Sequence, residues 1–218
     1  MLCSLNEIEA LLRKAARGAG LPWGLAEEAG RAARWLAMHG IGCLPIFAAL
    51  FEQNDGRPYD EIAIMREEGC WRASGGTLCP LVAGASIVDR ATEIAGGRTV
   101  ELATVAWPIL LAPFAATVAV ATGARIALDW PGVRFTFTDA RVRLDAALTV
   151  THVASVPNGR CGPLGGAAQG TLMESDLAGA VVDESAWSRL DRFVRRTYVP
   201  ASAASRLKGA GAGLLDTD

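Results

Sequence analysis

Residues 124–138 read ARIALDWPGVRFTFT and predict two β-strands joined by a turn at Pro131-Gly132. The second strand alternates large apolar side chains with Arg and Thr, which is the pattern of a strand with one wet face. This stretch places strand structure in the middle of a chain whose two ends have helical patterns.

Helices are predicted on both sides of this hairpin. Ser4 and Glu7 have the spacing of a capping box, which marks the start of a first helix. Two further helices are predicted at 23–39 and 44–53, and a C-terminal helix at 183–199. Helical segments therefore flank the predicted strands.

The middle of the chain alternates between helical and extended patterns. We expect one helix over 80–97, a strand over 99–106, a buried helix over 109–123 and another strand over 147–156. The Gly-rich residues 157–170 indicate a long loop.

This order of elements predicts an α/β fold, and it also allows an α+β arrangement. An N-terminal three-helix segment and a C-terminal helix are expected to cap a mixed α/β core. The predicted organisation is a helical segment at 1–56, an α/β core at 57–180, and a C-terminal helix with a Gly-rich tail at 181–218 that packs with the N-terminal segment.

The charge balance disfavours nucleic acid as a partner. The 21 Lys and Arg residues are interleaved with 23 Asp and Glu residues, whereas proteins that bind phosphate backbones carry a basic patch. The N-terminus lacks the basic start and apolar run of a signal peptide. The uncharged stretch 102–124 is long enough for a membrane span, but its prolines and many alanines favour a buried core segment. We expect a cytoplasmic protein that does not enter a membrane.

The five cysteines lie at scattered spacings. They form no CxxC pair and no cluster with histidine, so no metal site is expected, and a reducing compartment with free thiols fits them. Cys79 precedes a predicted helix and Cys70 lies upstream of it. A thiol-dependent hydrolase or lyase that uses either residue is one hypothesis, and a buried inert thiol is the other.

His39 and His152 are the two histidines of the chain. His39 ends the second helix, with Gly40 behind it. A histidine at a helix C-terminus gains from the helix dipole when it is protonated and needs no other role. An imidazole at the mouth of a turn also suits general acid–base catalysis near neutral pH. His152 falls in a predicted strand and is expected to be structural or on the surface.

The stretch 19–45, AGLPWGLAEEAGRAARWLAMHGIGCLP, resembles the N-terminal segment of the type 2 malate/L-lactate dehydrogenases. That family also includes ureidoglycolate and sulfolactate dehydrogenases and cyclic-imine reductases. The residues from His39 to Pro45 stand in register with its His-Gly and Leu-Pro motif. Weaker similarities follow at 81–95 and 198–206. The whole chain more closely resembles a set of uncharacterised bacterial proteins of about this length.

The resemblance implies an oxidoreductase that reduces a small 2-oxo or cyclic imino acid with NADH or NADPH and uses His39 as the proton donor. The chain departs from the motif at two positions: Met38 replaces the family's Ser, and Cys43 replaces the Arg that holds the substrate carboxylate. The family's second histidine has no counterpart within 105–115. The implied site therefore has His39 as its catalytic residue, and the residues expected at the substrate are Gly40, Cys43, Arg72, Ser74 and Arg160.

The departures keep a second hypothesis open, in which the chain is a non-catalytic relative that binds a small molecule or serves as a partner subunit of a catabolic enzyme. The small-residue face of the helix at 23–39 allows a homodimer. Residues 209–213, GAGAG, have the composition of a phosphate-binding loop, but only five residues follow them, so no helix can be built there. No residue is therefore assigned to the cofactor.

Overall fold

The computed structural model describes residues 1–66, 69–138, 141–147 and 151–198. They form a mixed α/β fold, as predicted, in which helices from the two ends of the chain pack beside a mixed sheet. The helices are α1 Leu5–Gly18, α2 Trp23–Met38, α3 Leu44–Asn54, α4 Tyr59–Ile62, α5 Pro80–Val88, α6 Ala91–Ala95, α7 Ala112–Thr122 and α8 Glu184–Arg195, with a 3₁₀ helix at Pro108–Leu111. The strands are β1 Leu2–Cys3, β2 Met65–Arg66, β3 Cys70–Arg72, β4 Val100–Leu102, β5 Val105–Ala106, β6 Ile126–Trp130, β7 Val133–Thr138, β8 Arg141–Asp145, β9 Ser155–Val156, β10 Gly159–Pro163, β11 Thr171–Met173 and β12 Ala180–Val181.

Helix α1 begins at the predicted capping box. The Ser4 hydroxyl oxygen accepts a hydrogen bond from the Glu7 N–H at 3.2 Å, and the Glu7 carboxylate accepts one from the Ser4 N–H at 2.8 Å. Both N–H groups would otherwise lack a partner at the helix start. The stripe that includes Leu5, Ile8 and Leu12 is buried, so the predicted start and inner face of α1 are confirmed.

Helix α2 packs closely on α1 because its buried face consists of small residues. A Cβ on Gly30 would lie 2.9 Å from the carbonyl oxygen of Glu9 on α1. The helix ends at Met38, His39 is its C-cap, and Gly40 follows with φ +71°. Glycine adopts this backbone conformation without strain. The predicted end of the helix is confirmed, and it sets the position of His39.

The two ends of the chain pack against each other. Strand β1 pairs antiparallel with β12, and α8 lies against α1 so closely that a Cβ on Gly18 would overlap the carbonyl group of Phe193. Ion pairs also link α8 to α3: Glu52 at the end of α3 contacts Arg189 at 2.5 Å and Arg192 at 3.0 Å. The N-terminal helices and the C-terminal helix thus form one cap, as the sequence predicts.

The main sheet has eight strands in the order β11-β8-β7-β6-β10-β4-β3-β2. Its neighbours are antiparallel except β3 and β4, which are parallel. The predicted hairpin is β6–β7, and Trp130 stands opposite Val133 across its turn. The alternating pattern predicts that Thr136 lies on the solvent-exposed face of β7, but its side chain is only 1% exposed. This face of the sheet is therefore covered by protein at Thr136.

The predicted loop at 157–170 is wrong in its first half. Strand β10 lies there and is hydrogen-bonded to β6 on one side and β4 on the other. A Cβ on Gly162 would lie 2.6 Å from the hydroxyl oxygen of Thr99. The lack of a side chain at Gly162 therefore allows Thr99 to approach the backbone closely within the sheet. In the sequence, a glycine in this context predicts a turn instead.

The predicted strand at 147–156 is largely wrong as well. Among the described residues of this range only β9 is extended, and His152 lies outside it, exposed to solvent. The hydroxyl of Thr151 is 3.2 Å from His152 Nδ1. Residues 148–150 lie outside the described part of the chain, as do residues 199–218, which contain the GAGAG stretch.

The helix predicted at 80–97 is two helices, α5 and α6. The break lies at Arg90, whose backbone has φ −108° and ψ 21°. The Arg90 guanidinium donates a hydrogen bond to the Ser86 carbonyl at 3.3 Å and lies 5.3 Å from the Trp71 ring centre. The strand predicted at 99–106 also divides, because β4 pairs with β10 while β5 pairs with β9.

The uncharged stretch 102–124 is part of the core. Most of its residues are buried, and helix α7 is packed between the sheet and helices α2, α5 and α6. Within the described residues, none of the helices has the length and apolar content needed to cross a bilayer.

Candidate functional site

His39 stands where the end of α2 meets the outer strands of the sheet. Its Nδ1 lies 2.9 Å from the carbonyl oxygen of Trp35, one turn earlier in the helix. A carbonyl oxygen only accepts hydrogen bonds, so Nδ1 carries the hydrogen. The imidazole also lies against the indole of Trp35, with ring centres 4.1 Å apart. These contacts fix the ring and leave Nε2 as the nitrogen that is able to exchange a proton.

Partial burial changes the acid–base behaviour of His39. Desolvation lowers its pKa below the ordinary value of 6.5, because burial disfavours the charged imidazolium, and the hydrogen bond to the Trp35 carbonyl opposes this in part. Neutral imidazole with an unprotonated Nε2 is therefore the main form at neutral pH. Such a group accepts a proton readily at neutral pH. In mildly acidic solution a larger fraction of the imidazole is protonated and able to donate a proton.

A pocket of about 230 Å³ adjoins His39 on the α7 side. We call it the His39 pocket. Its walls are mostly apolar, and its polar or ionisable side chains come from different elements. The polar or ionisable lining residues are Trp35, His39, Arg141 and Ser175, and the apolar ones are Met38, Ala116, Ala119, Val120, Phe137 and Val142.

A larger groove, which we call the outer groove, adjoins His39 on the β11 side. It has a volume of about 640 Å³ and is lined by Met38–Gly40, Leu144, Ala146 and residues 171–176. The segment after β11 crosses the end of α2, where the Asp176 N–H donates to the Met38 carbonyl at 2.8 Å. The charged side chains in its lining are Glu174 and Asp176, which makes the groove acidic.

Of the residues predicted to bind substrate, Gly40 lies beside His39 and lines the outer groove. Cys43 is close in sequence but faces the core. It is 1% exposed, its thiol donates to the Ala33 carbonyl at 3.6 Å, and burial raises its pKa to about 12. A neutral buried thiol offers no positive charge, so it does not replace the arginine that the resembling family has at this position.

Arg72, Ser74 and Arg160 are not brought to His39. Arg160 is in β10 and forms an ion pair with Glu101 at 3.2 Å. Arg72 ends β3, and the Ser74 hydroxyl donates to the Asp60 carbonyl at 2.9 Å. Strands in a sheet are about 4.8 Å apart, so β10 and β3 lie roughly 14 and 24 Å from β8, the strand next to His39.

The environment of Cys79 does not support thiol catalysis. Cys79 is the N-cap of α5, at the predicted place, but burial raises its pKa, and the N–H groups of Leu81 and Val82 oppose this only in part. A nucleophilic thiol needs a lowered pKa. In the described residues no group of three or more His, Cys, Asp or Glu side chains is placed to hold a metal ion.

A further cavity of about 340 Å³ lies near the start of α2, whereas His39 lies at the end of that helix. We call it the α3 cavity. It is lined by the α1–α2 connection, the end of α3, the segment 55–62, and the side chains of Cys79 and Leu81. Its polar rim includes Asn54, Arg57 and Tyr59.

Arg141, Trp35 and Ser175 are site residues that sequence analysis misses. Arg141 lies in an alternating strand, where an arginine is ordinarily part of a solvated face. No sequence spacing connects it to His39, since the two residues are 102 positions apart. The juxtaposition arises only when the β7–β8 hairpin packs beside α2, where the rings of Trp35 and Phe137 are 6.4 Å apart.

The match to a known protein family lies in the N-terminal part of the chain. Residues 3–79 match the model of a family described as a protein of unknown function (DUF3726), and this range contains His39. No curated protein sequence matches the chain. The described structure is similar to the crystal structure of malate dehydrogenase from Entamoeba histolytica, with 13% sequence identity and a TM-score of 0.45.

That similarity covers 75% of this chain and 49% of the malate dehydrogenase, so the chain spans about half the length of that protein. A likeness at this TM-score supports neither a shared activity nor shared site residues. The resemblance to an uncharacterised family is confirmed over the matched N-terminal segment.

Proposed function

We propose that this protein is an oxidoreductase that reduces a small 2-oxo or cyclic imino acid, with His39 as the proton donor and NADH or NADPH as the hydride source. The observation that supports the proposal is the position of His39. Its imidazole is half-buried, held through Nδ1 on the Trp35 carbonyl, and borders both a small apolar pocket and an open groove.

His39 is built to move one proton at a defined atom. With Nδ1 donating to the Trp35 carbonyl, Nε2 is the atom that gives its proton to a substrate oxygen or nitrogen, and the same atom takes the proton back in the reverse reaction. The Trp35 ring, which is tilted by 33° against the imidazole with ring centres 4.1 Å apart, restrains the orientation of the imidazole.

The outer groove does not fit the phosphates of a dinucleotide, and among the described residues the His39 pocket offers them one basic side chain, Arg141. A phosphate site needs backbone N–H groups at a helix start or basic side chains, whereas the charged side chains lining the outer groove are the carboxylates of Glu174 and Asp176. We therefore assign no residue to the cofactor, and cofactor binding has to be measured first.

The first test is thermal unfolding of the full chain with and without millimolar NADH, NADPH and their oxidised forms. A cofactor present at 100 times its Kd stabilises the folded state by about 2.7 kcal/mol, which raises the Tm by a few degrees at this size. A shift with one cofactor supports the proposal and leads to a screen of 2-oxo and imino acids. No shift with any of the four contradicts it.

The His39→Gln variant then tests the role of the residue. We expect turnover to fall by at least about a hundredfold, because general acid catalysis contributes about 10²–10⁴-fold, with the Tm little changed. His152→Gln is the matched control, since it alters an exposed histidine outside the pocket. Equal turnover in the wild type and His39→Gln would remove His39 from the mechanism.

A non-catalytic protein that binds a small molecule, or serves as a partner subunit, is the second candidate. The acidic outer groove, which disfavours a dinucleotide, and the separate α3 cavity support it. Wild-type protein that binds a small acid but turns over no substrate with either cofactor would favour this candidate. A homodimer is a further proposal, although the small-residue face of α2 that suggested it packs on α1 within the same chain, and light scattering in solution measures it directly.

A further inference from the structure

Arg141 is the one arginine or lysine that lines the His39 pocket in the described part of the chain. It is the first residue of β8 and pairs with Thr138 at the tip of the β7–β8 hairpin. Within the described residues, no carboxylate forms an ion pair with Arg141, whereas Arg134, Arg160 and Arg189 all have carboxylate partners.

The surroundings of Arg141 restrict what its charge would bind. The pocket is apolar on the walls formed by Met38, Phe137 and Val142, and its other polar groups are His39, the Trp35 indole and the Ser175 hydroxyl. Its volume of about 230 Å³ is below the roughly 300 Å³ at which drug-sized pockets begin. A small anion with a short apolar chain fits this combination of charge, size and lining.

We propose that Arg141, assisted by the Ser175 hydroxyl, binds the carboxylate of a small acid with an apolar side chain and so holds its carbonyl group beside His39. The planar guanidinium matches a carboxylate through two parallel hydrogen bonds. The apolar side chain of the acid lies against Phe137 and Val142. This assignment rests on the proposed function in one respect, namely that the His39 pocket is the substrate site.

The experiment is isothermal titration of the full chain with 4-methyl-2-oxopentanoate as the probe. Its methyl ester tests the need for the carboxylate, and inorganic phosphate tests whether the site binds any small anion. The variants are Arg141→Gln and Arg141→Lys, and the matched controls are Arg160→Gln and Arg72→Gln, which change the two arginines that the sequence predicts for this role. Circular dichroism checks that every variant is folded.

We expect the acid to bind, the ester and phosphate to bind at least tenfold more weakly, and Arg141→Gln to raise the Kd of the acid at least about tenfold, because it removes the positive charge and the pair of charge-assisted hydrogen bonds. Arg141→Lys should retain part of the affinity, and both controls should match the wild type. The assignment is overturned by wild-type protein that does not bind the acid, by an unchanged Kd in Arg141→Gln, or by phosphate binding as tightly as the acid.

A parallel assay of NADH and NADPH oxidation separates this assignment from the proposed function. Binding of the acid through Arg141 without turnover would refute the oxidoreductase and leave the carboxylate site standing. Turnover whose KM rises in Arg160→Gln but not in Arg141→Gln would keep the oxidoreductase and overturn the role of Arg141.

Discussion

At the scale of single residues, the position of His39 subjects the charge on its imidazole to two opposing effects. It caps α2, where a positive charge is favoured by the helix dipole. It is also half-buried against Trp35, where a positive charge is disfavoured, and burial is the larger effect on its pKa. The charged groups lining the two cavities beside it are Arg141, Glu174 and Asp176.

The lowered pKa of His39 predicts a pH dependence of folding. Unfolded His39 takes up its proton near pH 6.5, while the folded protein takes it up only at lower pH. Between those two pH values the unfolded state binds more protons, so the free energy of unfolding falls as the pH falls. Chemical denaturation from pH 8 to pH 5 should show a shallower decline in His39→Gln.

His152→Gln should keep the wild-type slope in the same measurement, because His152 lies outside the pocket. Identical slopes for the wild type and His39→Gln would mean that the environment of His39 does not depress its pKa. In the proposed reaction, the same shift makes carbonyl reduction fastest in mildly acidic solution and slower as the pH rises through the pKa of His39.

At the scale of helices and strands, the elements form from strong local signals. The capping box of α1 is an example, because both of its hydrogen bonds join residues three positions apart. Where two elements pack together, the outcome depends on residue size at the crossing point. At the α5–α7 crossing, a Cβ on Gly84 would overlap the ring of Phe114.

Ser4→Ala is predicted to destabilise the fold by about 1 kcal/mol, since it removes the N-cap acceptor and one side of the capping box. Ser188→Ala is the matched control, because that hydroxyl donates back to the Glu184 carbonyl within α8 and contributes little. Urea denaturation of the two variants measures the difference. Equal midpoints would show that the capping box does not stabilise α1.

Gly84→Ala is predicted to destabilise the fold by about 1–3 kcal/mol, because the added methyl group overpacks the α5–α7 crossing. Gly24→Ala makes the same chemical change in α2, where a Cβ would meet nothing within 4 Å. It should be neutral or stabilise by up to about 1 kcal/mol. A stabilising Gly84→Ala, measured by thermal unfolding, would contradict the close packing of α5 and α7.

At the scale of the whole molecule, residues distant in sequence hold the cap on the core. Glu52 at the end of α3 binds Arg189 and Arg192 of α8, and Asp55 binds Arg196 at 2.6 Å. Hydrogen bonds from Arg189 lower the pKa of Glu52. The contribution of this carboxylate is therefore present above its ordinary pKa and is lost as the pH falls through the lowered value.

Glu52→Gln is predicted to destabilise the fold by about 0.5–1 kcal/mol at low salt, and by less at 1 M NaCl, because partly exposed ion pairs are weak and screened. Glu93→Gln is the control, because it removes a local ion pair with Arg98, five positions away, that does not join distant parts of the chain. Denaturation at two salt concentrations measures both variants. A salt-independent effect of Glu52→Gln would indicate lost packing in place of lost charge pairing.

Local patterns in the sequence were sufficient for the elements whose stabilising contacts are themselves local. They predicted the start of α1, the end of α2 at His39 and Gly40, the β6–β7 hairpin and the start of α8. They failed at β10, because a glycine that permits close packing within a sheet has the same sequence signature as a glycine in a loop.

The composition of the His39 pocket was decided by tertiary structure alone. Its residues come from α2, α7, the β7–β8 hairpin and the segment after β11, and no spacing along the chain relates them. The sequence singled out His39 because a helix end is a local feature. It pointed to Arg72 and Arg160 as its partners, whereas strand order places Arg141 there, since the neighbour of a strand is set by long-range pairing.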